Sequence, residues 1–145
     1  MKKAVHLLEY KGRTIGIVAL VAAQVLIGFV HVVFGFWLLV ASRAAPLVGV
    51  VGLSSASDIY SIYTVTFGLL TLLFAVPLWL QNRWGWVGTF AVLAFIIAAD
   101  SLILLDLPSI PGIPKFAGFG EITYSILVIA YLLQAHIRAK YKISF

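Results

Sequence analysis

Four polar side chains interrupt or border the apolar stretches of this 145-residue chain and could take part in chemistry: Gln24, His31, Asp100 and Glu121. Imidazole and carboxyl groups carry protons and bind polar ligands. A charged Asp at a bilayer centre costs roughly 2.5–3.5 kcal/mol even on lenient insertion scales, so Asp100 needs a partner, a proton or water. Three interpretations follow. Asp100 is an interior carboxyl bonded to His31, a threonine or another subunit; or it is an acid that relays protons or binds a substrate; or it is exposed to water at the outer surface.

The sequence lacks the residues and motifs that several common chemistries require. The chain has no cysteine, which excludes disulfides and thiolate chemistry, and it has no nucleophile elbow or phosphate loop. His31, Asp100, Asp106 and Glu121 are of metal-ligand types, but no ligand spacing such as Glu-x-x-His supports a metal site. We therefore predict no catalytic residue, no metal and no cofactor. The alternative is a haem, lipid or quinone, and the pair at similar depth for a haem would be His6 with His136.

The composition indicates an integral membrane protein. Hydrophobic residues make up 63% and charged residues 10% of the chain, whereas soluble domains carry about 25% charged residues. The net charge is +5, but the basic residues flank apolar stretches and form no separate basic domain. We predict the lipid bilayer as a partner and exclude nucleic acid.

Four apolar stretches reach the roughly 20 residues that a helix needs to cross about 30 Å of hydrocarbon. They cover residues 14–42, 60–80, 84–105 and 120–139, with "QNR" (81–83) as a tight turn and Gly120 and Glu121 opening the last helix. The first run is far longer than that of a cleavable signal peptide, so it should remain as a helix. We predict an all-α bundle of four transmembrane helices that forms a single integral membrane domain over residues 1–145.

The charges and aromatic residues predict the orientation. With both termini cytoplasmic, eight of the ten basic residues lie inside and only Arg43 and Lys115 lie outside, as the positive-inside rule requires. This arrangement places the protein in the cell membrane as a multi-pass chain. It also predicts two aromatic girdles, an inner one of Trp79, Trp84, Trp86 and Tyr141 and an outer one of Trp37, Tyr60, Tyr63 and Tyr124.

Small and polar residues recur at helical spacing and predict the faces that meet, because helices in lipid associate through such residues. The seams contain Gln24, Gly28, His31, Gly35 and Ser42 in the first span, and Thr64, Gly68, Thr71 and Ala75 in the second. Asp100 shares a side with Thr89 and Ile96, and a hydrogen bond from His31 to Asp100 across the bundle is feasible. Gly16 (with Gly12) and Gly88 (with Gly85) predict a further packing face for a partner subunit.

Two segments resemble a group of small four-helix membrane proteins of archaea and bacteria. They are "FGLLTLLFAVPLWLQNRWGW" (67–86) and "YSILVIAYLLQAHIRAKY" (124–141). The shared pattern is a Leu-Trp helix end, a short polar turn, a Trp-x-Trp doublet and a basic exit from the last helix. The resemblance implies the architecture and no active-site residue.

These observations favour an accessory subunit of a larger membrane complex, of respiratory or oxidase type, with no catalytic activity of its own. The main support is the combination of small-residue seams with no catalytic set and little chain outside the spans. One alternative is a small proton-coupled or solute transporter that uses Asp100 and His31. The other is a membrane subunit that binds haem or quinone.

Overall fold

The chain is described here from a computed structural model. The structure describes residues 9–10, 13–44, 55–105, 107 and 115–144. Most of both predicted outer loops, including Asp106, and also His6 and Gly12 lie outside the described residues. A two-residue β pairing of β1 (Glu9–Tyr10) with β2 (Arg13–Thr14) precedes the helices.

The fold is a helical bundle. Its helices are α1 (Ile15–Ala44), α2 (Ser55–Trp79), α3 (Arg83–Leu104), α4 (Lys115–Leu132) and the short α5 (Ala135–Lys140). α1 packs along α2, and α3 packs against both α2 and α4. The three long helices α1, α2 and α3 are apolar and long enough to cross a membrane, and α4 contributes a shorter apolar segment. The prediction of an all-helical, membrane-type bundle is confirmed at this level.

Polar residues are buried among apolar ones inside the bundle, and large apolar side chains cover its surface. Gln24 is 2% exposed and Ser125 fully buried, whereas Leu26 and Leu127 are each 65% exposed. Soluble proteins rarely expose large contiguous apolar surfaces, so this distribution fits a surface solvated by lipid. The predicted seams are confirmed, because their residues are buried or half-buried along α1 and α2.

Two glycines bring α1 and α2 together. A Cβ atom at Gly68 would lie 2.7 Å from the carbonyl oxygen of Gly28 and 2.8 Å from the backbone nitrogen of Val32. Gly35 approaches α2 in the same way, since its Cβ would lie 2.9 Å from the Val65 nitrogen. Only a residue without a side chain permits this backbone contact.

Gly16 and Gly88, which were predicted to pack against a partner, contact side chains of the same chain. A Cβ at Gly16 would strike the ring of Tyr131, and a Cβ at Gly88 would strike the ring of Phe74. Both glycines therefore serve packing within the chain. The glycine spacing indicated a close contact at these positions, but spacing alone does not identify the helix that makes the contact.

The end of the bundle also differs from the prediction. α4 begins at Lys115, five residues before Gly120, and ends at Leu132. The chain then breaks at Leu133 and Gln134 before α5, instead of continuing as one helix to residue 139. Glu121 consequently lies in the second turn of α4, where its side chain can point into the bundle.

Two residues predicted for the inner aromatic girdle belong to the core instead. Trp86 is 6% exposed and its Nε1 donates a hydrogen bond to the Leu132 carbonyl at 3.0 Å. Tyr141 is 1% exposed and its hydroxyl donates to the Leu78 carbonyl at 2.9 Å. Both side chains donate to carbonyls in the last turn of a helix, where backbone acceptors lack partners within the helix. Trp84, by contrast, is exposed as a girdle residue would be.

Candidate functional site

Each of the four main helices contributes one polar side chain to a single cluster. α1 supplies His31, α2 Tyr63, α3 Asp100 and α4 Glu121. Asp100 lies four residues before the end of α3, and Glu121 six residues after the start of α4. The cluster therefore lies toward the end of the bundle at which α3 ends and α4 begins.

A hydrogen bond between His31 and Glu121 forms the centre of the cluster. The Nε2 atom of His31 lies 3.3 Å from Oε1 of Glu121, and the two side chains are 17% and 25% exposed. The other ring nitrogen, Nδ1, lies 2.8 Å from the carbonyl oxygen of Ile27. A carbonyl oxygen only accepts, so Nδ1 carries a hydrogen.

This geometry requires a further proton between the imidazole and the carboxyl. With Nδ1 already protonated, a neutral His31 would present a bare Nε2 to Glu121. Two acceptors do not form a hydrogen bond, so either His31 is an imidazolium that donates to the carboxylate, or Glu121 is a carboxylic acid that donates to Nε2. Either state contains one proton that can lie on either side of the bond.

Asp100 is bound differently from the prediction. Its Oδ1 accepts a hydrogen bond from the Tyr63 hydroxyl at 3.4 Å, and its Oδ2 is buried with no hydrogen-bond partner among the described residues. The expected direct bond from His31 is absent from the described contacts, although Asp100 interacts electrostatically with both His31 and Glu121. Glu121 makes the hydrogen bond to His31 that was feasible for Asp100.

A cavity of about 190 Å³ adjoins the His31–Glu121 pair. Its surface is mostly apolar, and the residues that line it are Ile27, His31, Phe67, Ile96, Gly120, Glu121, Tyr124 and Ser125. The Tyr124 hydroxyl and the Ser125 hydroxyl are buried, and neither has a hydrogen-bond partner among the described residues. Both hydroxyls are enclosed by the surrounding protein and do not open onto the cavity.

Aromatic rings frame this site. The Phe67 ring meets His31 edge to face with a centroid distance of 4.8 Å, and Tyr63 stacks on Phe67 at 6.5 Å. A second, apolar cavity of about 380 Å³ between α2 and α3 also includes Tyr63 and Phe67 in its lining. The Phe67 ring packs against the imidazole and limits its rotation.

The remaining predicted site residue lies elsewhere. Gln24 is two turns of α1 away from His31, and its Nε2 donates to Thr89 Oγ1 at 3.1 Å. Its Oε1 has no hydrogen-bond partner among the described residues. Gln24 therefore links α1 to α3 and takes no part in the cluster.

Sequence reasoning did not assign Tyr63, Tyr124 and Ser125 to the site. Tyr63 and Tyr124 were expected in the outer aromatic girdle. The helical spacing contained a signal, because residues 121, 124, 125 and 128 lie on one side of α4. Ser125 and Val128 on that side are buried.

Metal and haem ligation find no geometric support in the described part of the chain. No group of three His, Cys, Asp or Glu side chains in residues 13–44, 55–105 and 115–144 is placed to hold a metal ion. His136, one member of the predicted haem pair, lies exposed on α5.

Comparisons of this chain with known protein families, curated proteins and solved structures found no match. The fold and the site define the class instead. The chain is an apolar helical bundle of membrane type, with a partly buried imidazole–carboxyl cluster among its helices and a small, mostly apolar cavity beside it.

Proposed function

We propose that this chain is a small transporter that moves protons through its interior cluster and couples them to the movement of a small solute. The observation that carries the proposal is the hydrogen bond between His31 and Glu121. A pair that holds one mobile proton inside an apolar bundle is the part that a proton-coupled carrier requires. Ionisable residues within membrane helices are typical of ion and proton pathways.

Asp100 supports this proposal through its charge. Its carboxyl lies close enough to Glu121 and His31 to interact with both electrostatically. Two carboxylates that share one site repel each other when both are ionised. The cluster is thus stabilised whenever a proton or another cation enters it, and this dependence is the basis for coupling.

The cavity supports a small solute as the coupled species. Pockets for drug-sized ligands occupy roughly 300–1,000 Å³, whereas the cavity beside Glu121 measures about 190 Å³. A haem or a quinone ring with its tail exceeds that space. A few waters or a molecule with few heavy atoms fits it.

The proposal includes a topology. The four main helices cross the cell membrane, and both termini are cytoplasmic because this orientation places eight of ten basic residues inside. The cluster then lies in the outer half of the bundle. We also retain as a proposal the grouping with small four-helix membrane proteins of archaea and bacteria.

The accessory-subunit interpretation is the second candidate. Gly16 and Gly88, the glycines suggested for its partner face, contact Tyr131 and Phe74 of the same chain. An interior proton site has no evident use in a subunit that only supports assembly. A carrier that works alone explains both the buried cluster and the internal use of the glycines.

Proton flux into vesicles tests the proposal. Purified protein is reconstituted into lipid vesicles that contain a pH-sensitive dye, and a pH gradient is imposed in separate trials with small cationic, anionic and neutral solutes. We expect proton movement above that of empty vesicles with at least one solute class, and its loss in Glu121→Gln. Asp58→Asn is the matched control, because Asp58 accepts a hydrogen bond from Ser42 outside the cluster. Flux that is equal in Glu121→Gln and wild type, or absent with every solute, would contradict the proposal.

A further inference from the structure

Asp100 has one carboxyl oxygen that the surrounding protein leaves without a hydrogen bond. The residue is 3% exposed. Its Oδ1 accepts a hydrogen bond from the Tyr63 hydroxyl at 3.4 Å, whereas its Oδ2 is buried without a partner among the described residues. Buried polar atoms in folded proteins are nearly always hydrogen-bonded, and an unpaired buried charge is especially costly. A complete set of hydrogen bonds for Asp100 therefore requires a proton at Oδ2 or a donor beside it.

The Glu121 carboxyl lies within hydrogen-bonding reach of the Asp100 carboxyl. The helices that carry them come close at this level, since a Cβ at Gly118 of α4 would lie 3.6 Å from the Cβ of Asp100. Glu121 follows Gly118 by three residues, so the two share a side of α4. Ionised carboxylates only accept hydrogen bonds and cannot bond each other. A proton on one of the two carboxyls turns their contact into a hydrogen bond.

The bonds around Glu121 thus require two protons. The first lies in the bond between His31 and Glu121, because the other ring nitrogen of His31 already donates to the Ile27 carbonyl. The second belongs to the contact between Glu121 and Asp100, where neither carboxylate has a hydrogen to donate. With His31 as an imidazolium, Glu121 as a carboxylate and Asp100 as a carboxylic acid, all three side chains are bonded and their net charge is zero.

Burial and pairing indicate which carboxyl is the acid. The Glu121 side chain is 25% exposed and lies 3.3 Å from the imidazole nitrogen, whereas Asp100 is 3% exposed and bonds to a neutral tyrosine hydroxyl. A buried carboxylate is costly unless a cation pairs with it directly. The negative charge therefore belongs on Glu121, and the second proton belongs on Asp100.

We propose that Asp100 is a carboxylic acid that donates a hydrogen bond from Oδ2 to Glu121 and relays protons to the His31–Glu121 bond. The inference rests on the proposed function, since it names a second proton-binding residue of the same cluster. In the relay, the imidazolium of His31 releases its Nε2 proton to the solvent. The O–H bond of Asp100 then breaks, and Glu121 takes that proton and donates it to the bare Nε2. The Asp100 carboxylate regains one proton from the solvent, so the charge of the cluster is restored.

Titratable groups from the other three main helices lie around Asp100. His31 of α1, Tyr60 and Tyr63 of α2 and Glu121 of α4 interact with it electrostatically or through hydrogen bonds. The Tyr63 hydroxyl bonds Asp100 directly. Tyr60 stacks on the Tyr63 ring at a centroid distance of 6.4 Å but has no hydrogen bond to Asp100 among the described contacts. These two tyrosines therefore form a matched pair for an experiment.

Infrared spectroscopy of the full chain in lipid bilayers at neutral pH tests the inference. A carboxylic acid absorbs apart from a carboxylate, and its band shifts when H₂O is replaced by D₂O. The chain has only five Asp and Glu side chains, so few carboxyls contribute. We expect a carboxylic acid band in wild type and in Asp58→Asn, and its loss in Asp100→Asn. An asparagine amide accepts from Tyr63 and donates to Glu121, so Asp100→Asn should fold.

Two further comparisons separate the proton on Asp100 from a structural role. Tyr63→Phe removes the donor to the carbonyl oxygen of the acid, so the band should remain and move to higher frequency, whereas Tyr60→Phe should leave it in place. Proton flux into vesicles should fall to that of empty vesicles in Asp100→Asn, because asparagine has no proton to release. Circular dichroism establishes that each variant is folded, and the tyrosine pair assigns the band if Asp100→Asn is not.

The inference is overturned if wild type has no carboxylic acid band, if the band is unchanged in folded Asp100→Asn or folded Tyr63→Phe, or if Asp100→Asn moves protons as fast as wild type. Its failure is distinct from failure of the proposed function. Proton flux that depends on Glu121 but not on Asp100 overturns this inference and leaves the transporter proposal standing. An Asp100 acid band without proton flux for any solute rejects the transporter and with it the relay, and leaves the proton on Asp100.

Discussion

The contact between Gly28 and Gly68 allows a quantitative prediction for Gly68→Ala. The new Cβ would lie 2.7 Å from the Gly28 oxygen and 2.8 Å from the Val32 nitrogen, both of which are backbone atoms of α1. Backbone cannot rotate away as a side chain can, so α1 and α2 must separate. Overpacking of this kind destabilises by roughly 1–3 kcal/mol, and the contact with backbone places Gly68→Ala at the upper end.

An opposite contribution comes from the helix itself. Alanine is more favourable than glycine inside a helix by roughly 1 kcal/mol. The expected net loss for Gly68→Ala is therefore about 2 kcal/mol. Gly118→Ala in α4 is the matched control, because its Cβ would lie 3.6 Å from Asp100 Cβ, an ordinary van der Waals distance. This control should be unchanged or more stable by up to about 1 kcal/mol.

Denaturant unfolding in mild detergent micelles, followed by tryptophan fluorescence, measures both variants. Wild type and each variant are compared at the same detergent concentration, and the difference between the two variants is the quantity of interest. If Gly68→Ala is as stable as Gly118→Ala, the close backbone contact of α1 and α2 is refuted.

Three further predictions address topology, the cluster and the core. An impermeant thiol reagent should label Ser55→Cys in intact cells, but Ser144→Cys only after permeabilisation. The reverse result would invert the proposed orientation. Asp100→Asn should be as stable as wild type, because its side chain still accepts the hydrogen bond from Tyr63. Asp100→Leu should lose roughly 1–3 kcal/mol of stability, because it leaves the Tyr63 hydroxyl without an acceptor. Equal stability of the two variants would contradict that bond. Tyr141→Phe should lose about 1 kcal/mol of stability together with its buried hydrogen bond. Tyr124→Phe should lose none, because its hydroxyl has no partner among the described residues. Thermal unfolding of the two variants measures the difference.

Much of the bundle could be predicted from the sequence. Apolar length alone indicated the three long helices, since crossing a bilayer needs about 20 residues, and the recurrence of small residues indicated where α1 meets α2. The start of the fourth helix was predicted too late, because residues 115–119 ("KFAGF") resemble a loop beside the preceding prolines. Its break at Leu133 and Gln134 has no Pro or Gly to mark it.

The imidazole and carboxyl members of the site could be predicted, but not which of them bond to each other. His31, Asp100 and Glu121 stood out because ionisable groups are rare in apolar helices. Which of them bond depends on the rotation of each helix about its axis, and one residue turns a helix by about 100°. Tyr124 and Ser125 gave no signal as single residues and became part of the site only through the cavity they share.

The proton between His31 and Glu121 is the central claim, and nitrogen-15 NMR of histidine-labelled protein in lipid bilayers tests it most directly. The signals of His31 are assigned by their loss in His31→Gln. We predict that Nδ1 stays protonated at every pH studied, because it donates to the Ile27 carbonyl, and that the signal of Nε2 changes with pH and again in Glu121→Gln. A His31 with a bare Nδ1, or an Nε2 signal that Glu121→Gln leaves unchanged, would contradict the account.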